Sequence, residues 1–106
     1  MRHAVSVAVV CGPHVLRLLR ASTMEHYPNT WANPGGGVEP HEMPLMAALR
    51  ELYEETGIVA EPHELSYTHV SMEPPFFVRH YRVHMTEMVE PRLNSEHAAW
   101  KWVRTY

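Results

Sequence analysis

The chain opens on an almost unbroken apolar run, "HAVSVAVV" over residues 3–10, whose small and β-branched side chains predict a buried strand. "CGPH" has the composition of a turn, and "VLRLLRAS" at 15–22 predicts a strand that returns, so the first element is a hairpin. A loop rich in proline, asparagine and glycine follows, "STMEHYPNTWANPGGG", with "TWAN" as a short strand inside it. Pro44 suits the first turn of a helix, helical periodicity runs from there to Thr56, and Gly57 is a stop. Further on, "SYTHVSM" and "FFVRHYRVHMTE" predict two strands joined at "EPP". "VEPRLNSEHA" is a loop and "AWKWVRTY" a terminal strand. Strands around one central helix predict a mixed α/β or α+β domain.

The helix sets a question of charge. On a wheel of about 100° per residue, Glu54 and Glu55 fall about 60° to one side and about 40° to the other of Glu51. Ala47 shares their face, and Leu45, Leu49 and Leu52 point the other way as a core stripe. Like charges at these spacings cost a helix a few tenths of a kcal/mol each. A solvated acidic face usually carries lysine or arginine one turn on, but positions 55, 58 and 59 are Glu, Ile and Val, and Arg50 alone is near. A divalent cation would turn the repulsion into coordination, and oxygen-only ligands select hard ions such as Mg²⁺ or Mn²⁺. From the residues alone, the solvated face and the metal site stand level. The preceding "NPGGG" supplies backbone that a ligand can approach closely, or an ordinary tight turn; no Lys-Ser/Thr follows, so it is not a P-loop.

Composition narrows the partners. With 106 residues the chain makes one domain, 1–106, and 45% hydrophobic residues are too many for disorder. A net charge of −3 argues against binding a nucleic-acid polymer, which needs a clustered basic face. A lone cysteine, Cys11, excludes an internal disulfide and fits a reducing compartment. The longest apolar run is far short of the roughly 20 residues that span a bilayer. The expectation is a soluble, cytoplasmic protein without membrane contact.

Gly36, five residues, Glu42, seven residues, Arg50-Glu51-Leu52, one residue, Glu54-Glu55, one residue and Gly57-Ile58 reproduce a known pattern. This segment resembles the Nudix box at every fixed position, and Trp31 and Pro34-Gly35 resemble its lead-in. The resemblance implies an α/β/α sandwich with a mixed sheet and hydrolysis of a nucleoside diphosphate linked to another moiety. It implies Mg²⁺ (or Mn²⁺) held by Glu51, Glu54, Glu55 and the Gly35 carbonyl, with Gly36, Glu42, Arg50 and Gly57 structural and Arg50 orienting the glutamates. The family often adds a glutamate from a loop near the last strand; Glu96 is the candidate for that ligand or general base beside Glu51 and Glu54, with Glu73 as fallback.

Family members usually continue from a "WKWV"-like strand into a second helix, whereas this sequence stops at Tyr106. The expectation is therefore a missing C-terminal helix, and either a homodimer that covers the bare sheet face or a shortened chain. For the small-molecule nucleotide substrate, Arg20, Phe77, Arg79 and Tyr81 are the candidate contacts, with Phe76 and Arg82 as neighbours that could also serve. Strand alternation separates Phe77, Arg79 and Tyr81 from Phe76, Val78 and His80. Pro74, 16 positions after Ile58, resembles a feature of ADP-ribose-cleaving members, while the "EPRLNSEHAAWKWV" tail resembles members acting on nucleoside triphosphates. Both substrate classes stay open. The alternatives are a non-catalytic nucleotide-binding module, which typically loses box glutamates, and an acidic interaction domain.

Overall fold

A computed structural model describes residues 1–105. The first hairpin consists of β1 (Arg2–Cys11) and β2 (His14–Arg20), and its two strands pair only at Val10–Val15 and Cys11–His14. Beyond that point they part. Strand β3 (Trp31–Ala32) takes the free edge of β2, and β4 (Gly35–Gly37) takes that of β1. The wedge between the diverging strands is the origin of the cleft described below. Arg17 donates to Asn33, whose amide reaches the Ser6 hydroxyl at 3.4 Å, so the two sides of the wedge are tied by side chains.

Helix α1 (Pro44–Thr56) follows, then a 3₁₀ turn at Pro62–Glu64, β5 (Ser66–Glu73), β6 (Phe76–His84) and β7 (His97–Arg104). The sheet runs β3-β2-β1-β6-β5, with β4 on β1 and β7 on β2. Strands β1 and β6 are parallel over nine residue pairs and the other pairings are antiparallel, so the sheet is mixed. The one α-helix among the described residues covers one face of it, and the second helical layer of an α/β/α sandwich is not among them. Nor is any described helix long and apolar enough to cross a membrane.

The core is the seam between β1 and α1. Val5, Val7 and Val9 are buried together with Ala47, Ala48 and Leu52, and Leu65, Tyr81 and Val83 close the flank. The aliphatic stripe lies as the helical wheel places it: Leu52 is fully buried, and Leu45 and Leu49, half-buried, pack against the same core. What the wheel does not show is that Glu51 and Glu55 are buried as well. The physical reason is local: Ala47 and Ala48 let α1 approach the sheet closely, and the glycines of β4 leave space for the carboxylates.

The glycine stretch expected as loop is a strand. Its ladder with β1 sets Gly35, Gly36 and Gly37 opposite Ser6, Val5 and Ala4. A Cβ at Gly35 would run into the Val5 carbonyl, and one at Gly36 would stand 2.6 Å from the Glu51 carboxylate. At the other end of α1, Gly57 adopts φ 77°, and its N–H closes the last turn on the Tyr53 carbonyl. The helix starts without a side-chain cap, because Met43 occupies that position.

Gly35→Ala should destabilise the fold by about 3 kcal/mol, since the obstacle is backbone and cannot rotate away. Urea unfolding monitored by circular dichroism measures it, and a loss below about 0.5 kcal/mol would mean that β4 does not lie as tightly on β1 as described.

Candidate metal centre and cleft

Four carboxylates meet where α1 passes under β4. Glu55 is 1% exposed, and its Oε1 accepts the Gly35 N–H at 2.8 Å. Glu51, one turn earlier, lies against Gly36. Glu96 arrives from the loop before β7, held by its own N–H donating to Asn94 Oδ1 at 3.1 Å. Oxygens of Glu51, Glu55 and Glu96 all lie within 4.8 Å of one another. Glu54 stands at the edge of this group. It is half-exposed, and its Oε1 accepts from Arg50 Nη1 at 2.9 Å.

Arg50 organises the cluster from the outside. One nitrogen, Nη1, donates both to Glu51 (2.8 Å) and to Glu54 (2.9 Å). Its Nε and Nη2 grip the two oxygens of Glu42 at 2.8 and 2.9 Å, and Nη2 also reaches the Gly37 carbonyl at 2.9 Å. The bidentate fork is something a lysine cannot reproduce. It holds the Glu42 carboxyl well below the usual carboxylate range, at about 2, with help from the Glu39 N–H.

Arg50 supplies one positive charge to a group of carboxylates, and Glu55 is out of its reach. Burial pushes the Glu55 carboxyl up to about 9; the Gly35 N–H opposes this, and the neighbouring Glu51 and Glu96 add to it. Glu51 is raised as well, again first by burial, with Arg50 opposing. Buried carboxylates crowded together in this way favour a cation among them. An all-oxygen donor set fits a hard divalent ion such as Mg²⁺ or Mn²⁺. The Gly35 N–H, rather than a side chain, fixes the innermost carboxylate, and sequence reasoning had looked only to that residue's carbonyl.

Beside the cluster lies an open cleft of about 560 Å³, within the usual range for small-molecule sites. Glu51, Glu96 and the β4 glycines form one end of it, and Arg20 lines it too. Arg20 Nε and Nη2 both donate to the His26 carbonyl, which fixes the guanidinium without a carboxylate partner among the described residues. The other candidate contacts fall elsewhere. Phe77, Arg79 and Tyr81 lie on the opposite face of β6: Tyr81 is buried in the core, and Arg79 stacks on Phe77 beside His3. Arg82 is exposed and does not line the cleft. The alternate set, Phe76, Val78 and His80, lines it, together with Glu73. Alternation separated the two sets correctly but could not say which face the hairpin wedge would open onto.

Two residues in the cleft region carried no sequence signal. His26 sits in the loop that closes over the cleft, and its ring meets Phe76 edge-on at 5.0 Å. His97 is buried beside Glu96 with its Nδ1 lacking a hydrogen-bond partner among the described residues, and burial lowers its pKa, so it adds no charge there at neutral pH.

Comparison with known proteins adds an independent line. A NUDIX domain family model matches residues 1–105. The asymmetrical bis(5'-nucleosyl)-tetraphosphatase of Sus scrofa is 37% identical over 93 residues, covering 81% of this chain and 61% of that protein. The m7GpppN-mRNA hydrolase NUDT17 of Danio rerio is 47% identical over 64 residues, 58% of this chain and 21% of that protein. The chain thus spans less than two thirds of the length of these curated relatives. A MutT/nudix family protein from Enterococcus faecalis has the same fold, with a TM-score of 0.85 over 95% of this chain and 42% of that one at 22% identity.

The raised Glu55 pKa fixes a pH dependence. An unfolded Glu55 ionises near 4.5 and the folded one near 9, so the folded state holds the extra proton between them. That contribution to stability is complete below about 4.5 and is lost as pH rises to about 9. Metal-free protein should melt several degrees lower at pH 8.5 than at pH 5.5, and Glu55→Gln should flatten that difference. Thermal melts in chelator at both pH values check this, and parallel curves for the two proteins would contradict it.

Proposed function

This chain belongs to the Nudix family, and from that premise we propose that it is a divalent-metal-dependent hydrolase of nucleoside polyphosphates. The reading rests on one observation above all, the convergence of Glu51, Glu55 and Glu96 within 4.8 Å at the end of the cleft. Glu51 and Glu55 would hold Mg²⁺ or Mn²⁺. Glu54 would join them by giving up its bond to Arg50, whose Nη1 it already shares with Glu51. A divalent ion supplies Lewis acidity toward phosphate oxygens and makes a water nucleophilic near neutral pH.

The chain's own groups do the remaining work. Glu96 comes from a loop rather than from the helix and is half-exposed to the cleft, which suits the general base that takes the proton of an attacking water. Arg20, held by the His26 carbonyl, directs a fixed positive charge at the polyphosphate. Arg50 keeps the glutamates in place without touching the substrate. Gly36 leaves the room in which the Glu51 carboxylate lies.

Among substrate classes, a dinucleoside polyphosphate is favoured over a nucleoside triphosphate or ADP-ribose. The support is the tetraphosphatase relative, which matches 81% of this chain, together with a cleft that extends well beyond the carboxylate end. The same reading takes the protein as cytoplasmic, acting on small molecules, and a homodimer; the exposed edge strand β5, with Tyr67, Val70 and Met72 on its surface, is the face that supports self-association.

Hydrolysis of a dinucleoside tetraphosphate should require Mg²⁺ or Mn²⁺ and stop on chelation. Product analysis by chromatography checks this; full activity in chelator would remove the metal from the mechanism. Glu51→Gln should lower kcat by about a thousandfold while circular dichroism stays unchanged. Arg20→Ala should act mainly on KM, raising it about tenfold, the worth of one charge-assisted hydrogen bond. A normal KM in that variant would mean that the phosphates run elsewhere.

A further inference from the structure

The cleft has a second end that the reaction does not use. In the sheet register Gly35 lies beside Ser6, Ser6 beside His80, and His80 beside His69. Two strand spacings, about 10 Å, therefore separate His80 from the glycine that anchors the carboxylate cluster. Four residues along β6 from His80, about 13 Å further from the cluster, Phe76 pairs with Arg2 on one side and with Glu73 on the other. The floor between them is Ala4 and Val78, small and apolar.

A strap holds this end in shape. The segment between β2 and β3 crosses the cleft and is fixed on both sides: the Tyr27 hydroxyl donates to the Pro74 carbonyl at 2.9 Å, and the His26 carbonyl is held by Arg20. The His26 ring packs edge-on against Phe76, and the Arg2 guanidinium lies 5.7 Å from the centre of the same Phe76 ring. Aromatic walls around an apolar floor accept a flat ring.

Charge divides the two ends. The Glu73 carboxylate lines the cleft half-exposed; one oxygen accepts the Ser71 hydroxyl at 2.7 Å, and no arginine or lysine pairs with it among the described ion pairs. His80, 3.6 Å away, is bonded to the same Ser71 and stacked flat on His69. Burial, with His69 beside it, lowers the His80 pKa, so it does not neutralise Glu73 at neutral pH. Phosphate is repelled from Glu73 and drawn to Arg20 and the metal end. Arg2, the cation nearest this end, is engaged by the Phe76 face and the His26 ring nitrogen at 3.2 Å and does not line the cleft, so what is left for the Glu73 end is an uncharged part of the ligand rich in hydrogen-bond donors. An ionised carboxylate accepts only, and a vicinal diol offers it two donors.

We propose that this far end is a ribonucleoside subsite, in which Phe76 and His26 wall the base and the Glu73 carboxylate, oriented by Ser71, grips the ribose 2′,3′-diol. The chemistry matches the carboxylate that holds ribose hydroxyls in dinucleotide-binding folds. The inference rests on the reading of the cleft as a nucleotide site and makes it more specific: the bound nucleoside is a ribonucleoside, and a 2′-deoxy analogue is discriminated against.

Direct binding tests it without turnover. The whole chain, with Mg²⁺ present, is titrated calorimetrically with AMP and with 2′-deoxy-AMP. The expected result is a preference for AMP of about tenfold, the worth of one hydrogen bond to a charged group. Glu73→Ala should bring the ratio to about one, and Phe76→Ala should weaken both ligands alike and leave the ratio standing. Glu73 lies on the exposed edge strand, so the variant should melt with the parent. Equal binding of the two nucleotides by the parent, binding of neither, or an undiminished preference in Glu73→Ala would overturn the subsite. Turnover measured in parallel keeps the two readings apart. Equal binding by an active chain sinks the subsite alone, and a ribonucleotide preference in an inactive chain supports the subsite while the hydrolase reading fails.

Discussion

Glu51 and Glu55 are one helical turn apart and both out of water, and the rest of the site follows from keeping them there. Two carboxylates in that position repel each other and lose hydration, which is unfavourable by several kcal/mol unless other groups compensate. The chain compensates in three ways. A backbone N–H from Gly35 reaches Glu55, one arginine bridges Glu51 to its exposed neighbour Glu54, and protonation of Glu55 removes a charge when no cation is present. The arrangement is satisfied enough to fold and unsatisfied enough to attract a divalent ion.

That constraint explains features that otherwise look unrelated. Gly36 of β4 must lack a Cβ because the Glu51 carboxylate of the helix lies directly against it, and Gly35 because the Val5 carbonyl of β1 does. Ala47 and Ala48 replace larger aliphatic residues at the contact for the same reason. Arg50 must be arginine, since five donors on one plane serve Glu42, Glu51, Glu54 and the Gly37 carbonyl together. Carboxylate clustering and helix packing are met by the same few side chains, so this part of the protein tolerates little change.

The cleft has a different origin. It exists because β1 and β2 part after two residue pairs and two short strands fill the edges that this exposes. Its carboxylate end is built on the helix and its far end on β5, β6 and the strap, elements distant in sequence and joined by the parallel pairing of β1 with β6. A cleft assembled from such parts can vary its far end without disturbing the acidic one. Shared chemistry at one end is thus compatible with different substrates among relatives named for tetraphosphates and for capped mRNA.

Local signals in the sequence were sufficient for the elements. Pro44 and Gly57 bound the helix because a missing N–H costs nothing at its start and a left-handed residue closes its end. Alternation in "FFVRHYRVHM" divided β6 into two faces, and the spacing from Gly36 to Ile58 pointed to the family. The sequence could not say which way those faces turn. Phe77, Arg79 and Tyr81 led as substrate contacts, with Phe76 only a neighbour that could also serve and His80 not among them, since only the sheet order tells which side of β6 meets the cleft. The leucine stripe does pack on the core, but periodicity registers polarity and has no measure of a partner strand made of glycine, so it could not show that Glu51 and Glu55 are buried too. Periodicity and spacing are properties of neighbours along the chain; burial of a charge is a property of what folds against it, and only the tertiary structure supplies that.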